Sequence, residues 1–124
     1  MPNARATLIH ERWLRAGMAE SRRAGVARAL FCVRLLEQRC ESTPDERLSY
    51  LIGACLAADL DAMTARNLLP LDRPVVVAGG EAVAGAVALA LAERSIRTII
   101  LTETEIEAGL LAGLRAVAGA ARPD

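Results

Sequence analysis

Arg73-Pro74-Val75-Val76-Val77-Ala78-Gly79-Gly80-Glu81-Ala82 constrains this chain more than any other stretch. Three valines behind a proline predict a short strand buried on both faces. The diglycine that follows permits a sharp turn and a close approach of whatever lies above it. Glu81 then opens an alanine-rich helix. In a strand, glycine turn and helix start, exposed amide N–H groups and the helix dipole can cradle an anion or a nucleotide. The same pattern also serves as a plain strand-to-helix turn with no ligand, and the local sequence leaves both readings open.

The 124 residues amount to one domain, read here as residues 1–124. Hydrophobic residues make up 53% and charged residues 24%, which places the chain among globular rather than disordered sequences. One Phe, one Trp and one Tyr leave the core to Ala, Leu, Val and Ile. Fifteen acids balance fifteen bases, so there is no electrostatic footprint for a nucleic-acid partner. Cys32, Cys40 and Cys55 form no CxxC pair and have only His10 as a companion, which argues against a zinc site. An odd cysteine count points to a reducing compartment and free buried thiols, hence a cytoplasmic expectation. The start lacks the apolar run of a signal sequence, and no uninterrupted apolar run reaches the roughly 18 residues of a membrane span.

Taken in order, Thr7 to about Ala24 reads as a weakly amphipathic helix anchored by Trp13, Leu14 and Met18. Gly25 ends it. A second helix covers roughly Val26 to Gln38, with Arg34 beside an apolar stripe; such an Arg either snorkels, pairs or meets a ligand. Thr43-Pro44-Asp45-Glu46 is a helix start with a capping box and Pro at the first helical position. That third helix runs to about Arg66, and Leu48, Leu51, Ile52, Cys55, Leu56 and Met63 predict its buried face. Asp59 falls near the middle of the same face, so it must be paired, protonated or beside a polar cleft. Arg34 is the candidate partner; the alternative is that the helix pivots and Asp59 caps or pairs locally. Gly53, Ala54, Ala57 and Ala58 permit close approach of another backbone.

The strand from Pro74 to Ala78 follows, then a helix from Glu81 to Glu93 that is small all round and expected to pack on more than one side. A second strand is placed at Thr98 to Leu101. Thr104 with Glu107 gives a capping box for a last helix reaching about Val117, with Leu110, Leu111, Leu114 and Val117 on one side. Arg122-Pro123-Asp124 reads as a tail. The fold class is α/β with the order αααβαβα. Its short parallel βαβ unit is right-handed by rule. Two parallel strands make an incomplete sheet, so a homo-oligomer or a missing lobe is expected to complete it.

No Ser-His-Asp or Cys-His arrangement is available, and there is no Walker A, GxGxxG, HExxH or Asp-rich metal loop. The expected site therefore has no catalytic residue and no metal ligand.

Three segments together resemble the C-terminal part of 2-dehydro-3-deoxygalactonokinases, sugar-acid kinases of the actin-like ATPase fold. Leu30-Phe31-Cys32-Val33-Arg34 is similar to that family's Leu-Phe-x-Val-Arg run, and Leu51-Ile52-Gly53-Ala54 to its Leu-Ile-Gly helix. Val75 to Ala82, with Ala108-Gly109-Leu110 later, is similar to its closing strand, glycine turn and final helix. The resemblance covers roughly Trp13 to Ala118. It implies transfer of the ATP γ-phosphate to the 6-hydroxyl of 2-dehydro-3-deoxy-D-galactonate with Mg²⁺. It also implies that Gly79 and Gly80 touch the nucleotide, with Ala78 and Glu81 as neighbours. The family's Asp-x-Gly phosphate loop and Pro-Gly-Thr-His segment have no counterpart in the sequence. Cys55 stands where the family carries an acid, and Asp59 offers one a turn later.

The chain thus reads as a C-terminal kinase segment, inactive alone, whose partners in the complete enzyme are ATP and a small sugar acid. The other readings are a non-enzymatic α/β interaction module derived from that lobe, and a small nucleotide-binding domain.

Overall fold

Two glycines let two helices touch backbone to backbone, and the rest of the fold is built out from that contact. The structure, a computed structural model, describes residues 8–121. Within it α1 spans Glu11–Ala24, α2 Val26–Arg39 and α3 Pro44–Ala65. A Cβ added at Gly17 of α1 would lie 2.0 Å from the Tyr50 carbonyl oxygen, and one at Gly53 of α3 would lie 2.0 Å from the Leu14 carbonyl oxygen. No side chain fits at either position. With no side chains between them, the helices bury Leu14 and Met18 from α1 and Ala54, Ala57 and Leu60 from α3.

This packing corrects the phase read from the sequence for α3. Its buried positions are Ser49, Tyr50, Gly53, Ala54, Ala57 and Leu60, not the leucine-rich stripe. Leu51, Ile52, Leu56 and Met63 flank the contact half-buried, while Leu48, Cys55 and Asp59 are exposed. Backbone contact needs the smallest side chains at its centre, so the Gly/Ala face wins over the larger apolar one. Asp59 therefore faces solvent, Arg34 is exposed on α2, and no ion pair joins them among the described residues. The thiols are likewise not buried: Cys40 and Cys55 are exposed, Cys32 is half-buried, and all three are free.

Local signals fix the helix ends. Thr43 accepts the Glu46 amide at 3.2 Å while the Glu46 carboxylate accepts the Thr43 amide at 3.1 Å, a complete capping box. At α1, the His10 amide donates to Ser49 Oγ at 2.9 Å, and Ser49 donates onward to the Asp45 carbonyl at 2.8 Å. Thr7, where the sequence places the start of this helix, lies outside the described residues, as does the tail Arg122-Pro123-Asp124. Gly25, at φ 89°, turns the chain from α1 into α2 in a region that L side chains avoid.

The second half is a βαβ unit. β1 (Val75–Val77) and β2 (Thr98–Ile100) pair in parallel, with Val76 opposite Ile99, and α4 (Glu81–Ala92) crosses between them. α4 buries Ala84 and Leu91 on one side and Ala86 and Ala90 on another, about a third of a turn away. Val77, Ile96 and α4 join Leu14, Met18, Ala57 and Leu60 in a single core cluster. Arg94, just past α4, hydrogen-bonds Asp61 and Thr64 of α3, and Arg15 of α1 pairs with Glu93. The first strand is covered on one face only, against expectation: Val76 is 57% exposed and its neighbour Ile99 49%.

α5 (Glu103–Ala120) begins at Thr102, which forms its capping box with Glu105 rather than the expected Thr104 with Glu107. It has no substantial packing against any other element, and every residue from 107 to 121 is exposed. Leu110, Leu111, Leu114 and Val117 form a bare apolar side. Pro44–Ala65 has the length and mean hydropathy of a membrane span. In this fold it is the central helix, flanked by α1, α2 and α4. The architecture is a mixed, helix-dominated α/β unit with an incomplete two-stranded sheet.

Two outcomes follow from this packing. Gly53→Ala should cost about 3 kcal/mol or more, because the added methyl meets backbone that cannot move alone. Gly85→Ala, where a Cβ meets nothing within 4 Å, should instead stabilise by about 0.5–1 kcal/mol. Denaturant midpoints of the two variants check this contrast. Tyr50 is 6% exposed, and burial, with the Cys32 thiol beside it, pushes its phenol up to about 12. An unfolded tyrosine ionises near pH ~10. The unfolded state thus loses this proton first, and stability should fall as the pH rises from about 10 to about 12. Tyr50 is the one tyrosine, so tyrosinate absorbance reads it directly, and Tyr50→Phe should remove this pH dependence.

Candidate functional site

Like α1 and α2, and unlike α3 and α5, α4 starts without a side-chain cap. Gly80 is its N-cap residue and provides no side-chain cap. The first helical bond runs from the Ala84 amide to the Gly80 carbonyl at 2.8 Å. The amides of Glu81, Ala82 and Val83 consequently have no acceptor among the helix carbonyls. At α3 and α5 a threonine hydroxyl and a glutamate carboxylate close the same position.

The sharp turn for which the sequence suggests these two glycines does not rest on a positive φ. Neither is among the positive-φ residues, and Gly80 sits at φ −58° and ψ 142°. A Cβ on either would meet open space. What the glycines provide is clearance above the turn.

Gly80 and Glu81 open onto a groove of about 830 Å³ between the start of α4, the N-terminal half of α3 and the segment entering α1. Leu48 and Ile52 form one wall, Val83 and Leu89 another, and Leu14 lies at the base. Glu81 and Glu11 are the acidic residues at the groove, and Glu11 is held at 2.8 Å by Arg15. A slot with apolar walls takes a flat ring system, and a carboxylate at its edge accepts hydrogen bonds from hydroxyl groups. The same carboxylate repels phosphate. The arrangement therefore suits the base and ribose of a nucleoside better than its phosphates.

Of the residues singled out in the sequence, the structure brings Gly80 and Glu81 to this groove. Ala78 and Gly79 are exposed in the turn leading to it and do not line it. Arg34 and Asp59 do not line it either. The walls Leu48 and Ile52 were legible as apolar but belonged to the stripe assigned to the core. Once the small-residue face of α3 is taken as the buried one, that stripe falls toward the groove. Among the described residues, no three His, Cys, Asp or Glu side chains cluster as a metal site would require.

Comparison with known proteins gave no match to a curated protein or to a solved structure. One family model matches, described as 2-keto-3-deoxy-galactonokinase, 2-keto being equivalent to 2-dehydro. The match runs over residues 3–114, taking in every element from α1 to β2 and most of α5. The chain therefore belongs to the 2-keto-3-deoxy-galactonokinase family.

Proposed function

We propose that this chain supplies the nucleotide-facing part of the C-terminal lobe of an ATP-dependent sugar-acid kinase. In the complete enzyme that kinase phosphorylates 2-keto-3-deoxygalactonate at its 6-hydroxyl. An uncapped helix start beside an apolar groove, in a chain of a kinase family, carries this reading. The adenine ring lies between the walls formed by Leu48, Ile52 and Val83, and Glu81 accepts from the ribose hydroxyls. Gly79 and Gly80 leave room for the nucleoside to approach the backbone, with Ala78 behind them.

Phosphoryl transfer requires groups that position the phosphates, the metal and the acceptor hydroxyl together. The described residues hold no carboxylate cluster fit for magnesium. The phosphate-loop motifs are likewise not in the sequence. The role of these residues is to bind and orient the nucleoside, while the actin-like lobe that completes the site handles the phosphates. A metabolic kinase of this kind belongs in the cytoplasm.

A second reading, a non-enzymatic interaction module, is favoured by one observation. The bare face of α5, where Val117 is 70% exposed, and the uncovered Val76–Ile99 face of the sheet both need a partner. In the kinase reading that partner is the remaining lobe or a second copy.

Titration calorimetry with ADP separates these readings. Gly80→Ser places a hydroxyl where it caps the free amides and fills the clearance above the turn. It should leave stability unchanged or raise it by a few tenths of a kcal/mol, while lowering ADP affinity by about tenfold, equivalent to about 1.4 kcal/mol. Equal affinity in the variant would contradict the site. With ATP, Mg²⁺ and 2-keto-3-deoxygalactonate, this 124-residue chain alone should release no ADP above the blank, and clear turnover would overturn its assignment as a partial site.

A further inference from the structure

A second groove, of about 600 Å³, lies between α1, α2 and α3 and shares no residue with the groove at Gly80. Its size falls within the range of small-molecule sites. Tyr50 reaches it from α3 although the residue is only 6% exposed. No nitrogen or oxygen among the described residues hydrogen-bonds the Tyr50 hydroxyl. Its neighbour there is the Cys32 thiol, a weak partner. The hydroxyl opens onto the groove, where water or a ligand can bond to it.

Three guanidinium groups and one carboxylate line the same groove. Arg23 is neutralised by Glu20 through two bonds, at 2.9 and 2.6 Å. Arg28 lies 5.8 Å over the Phe31 ring, which holds it in place without removing its charge. Arg39 takes part in no ion pair among the described residues. Arg28, in the field of Glu20 but not ion-paired with it, and the unpaired Arg39 thus stand beside the Tyr50 hydroxyl and the Gln38 amide. Convergent polar groups over leucine side chains are the usual make-up of a small-ligand site.

We propose that this groove binds a small hydroxylated anion, whose carboxylate or phosphate is held by Arg28 and Arg39 and one of whose hydroxyls bonds to Tyr50. Both a sugar acid and a sugar phosphate have this chemistry. The site is independent of nucleotide binding at α4.

Cys32 lines the groove and reports its occupancy. The test uses the full chain carrying Cys40→Ser and Cys55→Ser, which removes the two exposed thiols. Alkylation of Cys32 by iodoacetamide is timed against gluconate, glucose 6-phosphate and glucose. Gluconate, glucose 6-phosphate or both should slow alkylation saturably, by about fivefold or more at saturation, and glucose should not. Protection by gluconate alone identifies a carboxylate ligand, and protection by the phosphate alone a phosphorylated one. Arg39→Ala, at an exposed position, should weaken protection about tenfold. Tyr50→Phe should weaken it about threefold while the far-ultraviolet circular dichroism stays unchanged. No saturable protection by either anion, equal protection by glucose, or protection that survives Arg39→Ala would overturn the proposal.

Discussion

The close approach of α1 and α3 at Gly17 and Gly53 is the constraint on which the other features depend. Hydrophobic burial is not directional and would tolerate several helix spacings. A carbonyl oxygen 2.0 Å from where a Cβ would stand tolerates only one residue type. This contact fixes which face of α3 is inside, and so sends Leu48 and Ile52 toward the groove and Asp59 into solvent. It also brings Ala57 and Leu60 of α3 together with Leu14 and Met18 to form the surface on which α4 and β1 sit. The position of the Gly80 helix start relative to its apolar walls is thus set by two glycines in other helices.

Much of the fold was legible because local chemistry announces itself. Thr43-Pro44-Asp45-Glu46 marks a helix start by capping, and three valines before a diglycine mark a strand and its exit. The order αααβαβα follows from such signals. The phase of α3 was not legible from hydrophobicity, since a scale that rewards leucine overlooks a face chosen for lack of volume. The α5 cap was ambiguous for another reason: Thr102–Glu105 and Thr104–Glu107 both satisfy the capping pattern, and only the end of β2 at Ile100 selects the first. Of the candidate site, Gly80 and Glu81 were readable, whereas the expected Asp59–Arg34 pair depended on the wrong helical phase. The Tyr50 groove had no sequence signal, because its residues come from three helices and converge only when these pack.

The open surfaces have a common physical cause. A parallel sheet is normally covered on both faces, and here α4 covers one while α5 projects away from the other. Val76 and Ile99 on the sheet, together with the leucines of α5, expose apolar surface of the kind that marks an interface. In the proposed kinase reading, such surfaces are where a further lobe or a second copy would pack.

The central claim is that the uncapped start of α4 holds a nucleoside against the apolar groove. Backbone amide chemical shifts during an ADP titration test it most directly. The account predicts saturable shifts confined to Gly79, Gly80, Glu81 and Ala82 and to the groove residues Leu48 and Ile52. Saturable shifts centred elsewhere in the chain, or none at millimolar ADP, would contradict it.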